Sequence, residues 1–150
     1  MAVTREQVLA KLHPDEPRYD QAAAQLGPEA LPHLMQIVLE GDPGLADKAT
    51  SLAGVIDDAG SVEVLVAAYR SPDPGLRVVA AAALARLSEL PISLAESMLN
   101  DKDVGVRKLT LRALAYHKPT GVKHEVQDIA ENDPNVALQE MASRVVDQLP

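Results

Sequence analysis

Asp73-Pro74-Gly75-Leu76-Arg77-Val78-Val79-Ala80-Ala81-Ala82-Ala83-Leu84 joins a turn signal to an alanine-rich apolar run. The same grammar returns as Asp103-Val104-Gly105-Val106-Arg107-Lys108-Leu109-Thr110-Leu111-Arg112-Ala113-Leu114. Shorter versions stand at Asp42-Pro43-Gly44-Leu45 and Asp133-Pro134-Asn135-Val136, so the Asp recurs at steps of 31, 30 and 30 residues. A unit recurring at a fixed period of this size is the mark of a stacked repeat array.

Working outward, each unit reads as two helices. The first helices fall at 28–40, 61–70, 92–100 and 122–131, and the second at 44–56, 74–87, 104–117 and 134–149. The connections are short and rich in Gly, Pro, Asp and Asn, which are turn formers. Three columns hold the register. Eleven residues before each Asp stand Leu31, Val62, Ile92 and Val122. Four before stand Val38, Tyr69, Leu99 and Ile129. Three after stand Leu45, Leu76, Val106 and Val136. All are apolar, as a buried helix face requires. Ahead of the array, 4–12 reads as a helix capped by Thr4 with Val8, Leu9 and Leu12 as its stripe, and His13-Pro14 ends it. A second helix follows from Tyr19 to Leu26. The expected organisation is one domain over 1–150: a cap at 1–26, then units at 27–57, 58–88, 89–118 and 119–150.

The pattern Asp-x-x-(Val/Leu)-Arg-x-x-Ala-Ala-x-Ala-Leu, complete in 73–84 and nearly so in 103–114, resembles HEAT repeats. The short period is most similar to the HEAT-like subtype found in phycobilisome lyases and in many bacterial proteins. Ankyrin repeats have a similar period but carry Thr-Pro-Leu-His, which is absent. The resemblance implies an all-α, right-handed superhelical solenoid of about four helix pairs plus the N-terminal pair. It also implies that Arg in the column of Arg77 and Arg107 belongs to a structural ladder between repeats, with Asp73 and Asp103 four residues before. The pattern departs at Ala46 and Ala137, where that Arg is missing, and Glu140 and Arg144 disturb the last unit, which aligns better with one residue inserted.

Composition narrows function. The chain has no Phe, Trp or Cys, and 3 Tyr. That removes disulfides, thiolate metal sites and cysteine nucleophiles. The net charge of −8 argues against nucleic-acid binding, which needs a basic footprint. No apolar run reaches the roughly 18 residues of a membrane span, and Met1-Ala2-Val3-Thr4-Arg5-Glu6 lacks the apolar core of a signal peptide. A cytoplasmic protein is expected. The charge is uneven: 1–69 holds 4 basic and 11 acidic residues, 70–118 holds 8 and 5, and 119–150 holds 2 and 6.

No catalytic or phosphate-binding motif occurs, so no catalytic residue, cofactor or metal site is assigned and an enzyme is not expected. His13, His33, His117 and His124 are the only metal-capable nitrogens, and His124 with Asp128 reads as a solvated helix face. Asp57-Asp58 reads as a turn. The outward columns of the second helices give Asp47 and Ser51, then Val78, Ala82 and Arg86, then Lys108, Arg112 and Tyr116. From Ser51 to Tyr116 they form a ridge with a small apolar centre flanked by cations and one aromatic. The expectation is a non-enzymatic interaction scaffold or adaptor whose concave ridge docks an acidic or amphipathic segment of another protein. One rival is an enzyme or enzyme subunit of the lyase-like or DNA-glycosylase-like HEAT type. Another is a self-assembling structural module, with Val145, Val146 and Leu149 suggesting a homodimer through the C-terminal helix.

Overall fold

The computed structural model describes residues 2–150; Met1, which heads the stretch read as lacking a signal peptide, lies outside them. The described residues are all helical, with no strand. The helices are α1 (Arg5–Leu12), α2 (Tyr19–Leu26), α3 (Leu31–Glu40), α4 (Pro43–Ile56), α5 (Ser61–Tyr69), α6 (Pro74–Ala83), α7 (Ile92–Leu99), α8 (Val104–His117), α9 (Lys123–Asn132) and α10 (Val136–Gln148). Two 3-10 turns, Gly27–Ala30 and Leu84–Arg86, replace the outer turns expected at the start of 28–40 and the end of 74–87. Consecutive helices pack as α3 on α4, α5 on α6, α7 on α8 and α9 on α10. Each pair also meets the next, through α3 on α5, α4 on α6, α6 on α8, α8 on α10 and α7 on α9.

Side-chain caps explain where the second helices begin. Asp42 accepts from the Leu45 amide, Asp73 from Gly75, and Asp103 from Gly105 and Val106, satisfying donors that have no partner inside a helix. Thr4 caps α1 in a reciprocal box with Gln7. The fourth unit departs from expectation. A step of 30 from Asp103 lands on Asp133, but the cap of α10 is Asn135, two residues further on, which accepts from the Leu138 amide at 3.0 Å. Val136 therefore stands at the first helical position, 66% exposed, and Leu138 takes the buried place expected of it. Ile92, the first residue of α7, is likewise exposed, whereas Leu31 and Val122 in its column are buried.

Between the helices lies a continuous core in which Leu34, Ile37, Leu52, Leu65, Leu84, Met98, Leu111 and Leu114 are essentially sealed from water. Ala46, Ala49, Ala53, Ala80, Ala81 and Ala113 are fully buried at the helix contacts. Small side chains let α4, α6 and α8 approach closely. No Phe or Trp is needed to fill the space.

Arg77 and Arg107 do not pair with Asp73 and Asp103 four residues earlier; those carboxylates cap their own helices. Arg107 instead makes a two-point ion pair with Asp133 (2.8 and 3.1 Å) and donates to the carbonyls of Asp101 and Lys102. Arg77 reaches Asp101 at 3.3 Å and the carbonyls of Ser71 and Pro72. Each guanidinium thus fastens its own turn to the following unit. Asp101 and Asp133 are equivalent, since each sits two residues before a cap and accepts that cap's amide. The first unit has Ala46 in place of the Arg, and its successor has Ser71 in place of the Asp. In α10 the Arg column is Gln139, not Ala137, and its amide donates to the Asp133 carbonyl as the arginines do to theirs.

Tyr69 adds a further tie, its phenol donating to the Ser97 carbonyl of α7 at 3.1 Å. Burial, then the hydrogen-bonding and charge of Asp101, push its pKa up to about 12, with Arg77 opposing. A pKa raised on folding gives stability that is complete below the unfolded value of 10.0 and disappears as pH climbs from there towards about 12. The urea midpoint of the wild type should therefore fall towards that of Tyr69→Phe across this window. A constant difference between the two proteins would disprove the linkage.

Candidate functional site

Counting from the caps Asp42, Asp73, Asp103 and Asn135 aligns the outer faces of α4, α6, α8 and α10. Five residues on stand Asp47, Val78, Lys108 and Glu140. Nine on stand Ser51, Ala82, Arg112 and Arg144. Thirteen on stand Val55, Arg86, Tyr116 and Gln148. Positions four apart share a helix face, and Arg86, in the 3-10 turn after α6, borders the same cavity as Ala82, so these rows make one surface. The expected ridge of Ser51, Val78, Ala82, Arg86, Lys108, Arg112 and Tyr116 lies on it, and Arg144 and Glu140 extend it. The sequence showed Glu140 and Arg144 out of step and one residue to be inserted; the cap at Asn135 makes the shift two, which brings Arg144 into this column.

The ridge is not uniform. Ala82, Arg86, Lys108, Arg112 and Tyr116 are exposed, whereas Ser51 and Val78 are half-buried. Val78 leans towards Gly105 of the next unit, its Cγ2 only 3.3 Å from where a Cβ there would stand. Tyr116 is 71% exposed and packs edge-on against the His117 ring, while His117 bonds the Leu84 carbonyl at 2.9 Å and holds α8 to the turn that carries Arg86.

At the α2 end the surface closes into a slot of about 120 Å³ lined by Tyr19, Ser51, Val55, Val79, Ala82, Ala83 and Arg86. Helix α2 supplies one wall through Tyr19, and Arg86 also borders an adjoining depression with Pro17, Arg18, Tyr19, Asp20 and Gln21. Of the expected residues, Ser51, Ala82 and Arg86 come together here. Lys108, Arg112 and Tyr116 line none of the described cavities. Tyr19, Val55 and Val79 were missed. Tyr19 belongs to the irregular first pair, and its only signal was that an aromatic is rare in this chain.

The cations of the site make no ion pair among the described residues. Ion pairs among the described residues are Arg5–Glu40, Arg77–Asp101 and Arg107–Asp133, which leaves Arg86, Lys108, Arg112 and Arg144 without a carboxylate partner. Burial raises the Tyr19 pKa, the Ser51 hydroxyl works against the rise, and Asp47 adds to it. Asp47 is itself raised, first by burial and then by the Asp73 carboxylate, and its Oδ1 is buried without a hydrogen-bond partner.

Other polar groups serve the fold. His33 bonds the Val3 carbonyl at 2.8 Å. Asp57 accepts from the Ser88 amide and hydroxyl, and Asp58 from the Gly60 amide. Val145 and Leu149, which suggested a dimer, are buried within the chain, and Val146 is half-buried. Among the described residues no helix is long and apolar enough to cross a membrane. The chain matches no protein-family model and none of the curated proteins with which it was compared.

Proposed function

We propose that the chain is a HEAT-like helical solenoid acting as a non-enzymatic binding module, and that the outer face of α4, α6, α8 and α10 docks an acidic segment of another protein. One observation carries this reading: on a face that also bears Asp47 and Glu140, four exposed cations, Arg86, Lys108, Arg112 and Arg144, make no ion pair among the described residues, in a chain of net charge −8. Lys108 and Arg112 are also like charges one helical turn apart. Such a pair costs a helix about 0.2–0.5 kcal/mol, so the fold gains nothing from it. A partner carboxylate would turn the cost into attraction, with most of the effect on encounter rate and specificity. Ala82 leaves room at the centre of the face for a segment to lie close, and Tyr116 offers an aromatic edge beside the cations.

Selection of a displayed random-peptide library tests this directly. Peptides retained by the wild type should be enriched in Asp and Glu, and their affinity should fall about tenfold or more in Lys108→Glu/Arg112→Glu, a loss on the order of 1.4 kcal/mol. Raising the salt concentration should weaken them, since exposed charge pairs are screened. Retained peptides without acidic enrichment, or equal affinity for the charge-reversed protein, would remove the reading.

A further inference from the structure

Resting on that reading, we infer that the slot between α2, α4 and α6 is a specificity pocket for one glutamate side chain of the docked segment. Its size is the first reason. At about 120 Å³, well under the roughly 300 Å³ at which small-molecule sites begin, the slot itself takes one side chain, and the adjoining depression that shares Tyr19 and Arg86 leaves room for the chain that carries it.

Its chemistry is the second. Val55, Val79, Ala82 and Ala83 give an apolar wall, and Tyr19, Ser51 and Arg86 give the polar groups. A guanidinium only donates, while the Tyr19 and Ser51 hydroxyls donate or accept as the occupant requires. Arg86 therefore asks for an acceptor and, having no carboxylate partner among the described residues, for a charged one. An acceptor on an alkyl stem matches the mixed wall better than a bare anion. Glutamate has two methylenes before its carboxylate; aspartate has one and leaves the apolar part unfilled. Asp47, near Tyr19 but outside the lining, and Asp20 in the adjoining depression oppose the incoming carboxylate, and the Arg86 guanidinium inside the slot is the charge that outweighs them. Position is the third reason. Arg86 belongs both to the slot and to the cationic face, so a segment lying along Arg144, Arg112 and Lys108 reaches the slot at its α2 end.

The test uses two probes on the whole chain. N-acetyl-L-glutamate N-methylamide is titrated while the nuclear magnetic resonance signals of the Val55 and Val79 methyls and the Ala82 amide are followed, with the glutamine and aspartate analogues as controls. Poly-L-glutamate binding is measured separately by fluorescence anisotropy. Expected are saturable shifts at these three residues in the millimolar range with the glutamate compound, at least several-fold weaker ones with aspartate, and none with glutamine. Ala82→Leu, which fills the slot from an exposed position, and Arg86→Gln, which keeps the bulk and removes the charge, should each abolish the shifts while circular dichroism stays unchanged. Shifts that are absent, equal for glutamine, or indifferent to both variants overturn the pocket. If poly-L-glutamate still binds and is lost in Lys108→Glu/Arg112→Glu, the acidic-segment reading survives that failure. Slot shifts with poly-L-glutamate binding unchanged in that variant uphold the pocket and remove the face.

Discussion

Arg107→Ala lowers stability by about 3–5 kcal/mol, because it leaves the Asp133 carboxylate buried without its counter-charge. For a chain of this size that is on the order of 10 °C in the thermal midpoint. The side chains of Arg107 and Asp133 retain 11% and 4% of their surface, so water cannot replace the lost partner. The Asp101 and Lys102 carbonyls lose their guanidinium donor as well. Arg5→Ala is the informative control. Its pair with Glu40 is shorter, at 2.6 Å, yet the partners keep 34% and 53% of their surface. An exposed pair is worth about 0–1 kcal/mol. Burial, not distance, decides the ranking. Asp133→Asn combined with Arg107→Ala should cost less than the sum of the two single changes, since each removes the same interaction. Differential scanning calorimetry on the wild type and these four variants would show it, and an Arg107→Ala loss no larger than that of Arg5→Ala would rule the ladder out as a main support.

That pair also marks how far the sequence could be read. Helix boundaries were legible because they depend on local chemistry: Asp42, Asp73 and Asp103 cap the helices they precede, and Pro and Gly punctuate the turns. The ladder was only half legible. Arg77 and Arg107 stand out in their columns, but a sequence shows the Asp four residues away more readily than the one 24 or 26 residues ahead. Asp133-Pro134-Asn135 imitates Asp73-Pro74-Gly75, so the two-residue extension of the turn before α10 showed in the sequence only as a one-residue misalignment. The cationic face followed from periodicity and was found apart from Arg144. The slot was not legible. It needs Tyr19 of α2 brought against Ser51 and Arg86, and contact between a helix of the irregular first pair and α4 has no periodic signature.

Gly54→Val should cost about 1–3 kcal/mol through overpacking, and it links the core to the slot. A Cβ at position 54 would stand 3.0 Å from the Ala83 Cβ, with the Ala83 carbonyl oxygen at 3.5 Å and its Cα at 3.6 Å. The obstacle is helix α6 itself, not the end of a flexible side chain, so relief requires α6 to move away from α4. Gly54→Ala sets two effects against each other. It gains about 0.8–1.0 kcal/mol of helix propensity and meets the same Ala83 methyl, so its net change is the smaller of the two. Gly54→Val adds two γ-methyls to the crowded contact and forgoes most of that propensity. Gly54→Ala/Ala83→Gly returns one methyl of space and should recover the contact, less the propensity lost at 83, whereas independent sites would show no such coupling. Ala83 lines the slot, so a displaced α6 carries part of the slot's wall with it. Gly54→Val should accordingly weaken the glutamate-analogue titration at Val79 while leaving the surface charges untouched. Urea unfolding gives the stability and the titration gives the geometry. A destabilised Gly54→Val protein with an unaltered titration would mean that α6 yields somewhere other than at the slot. An unchanged stability would mean that the α4–α6 contact is looser than 3.0 Å implies.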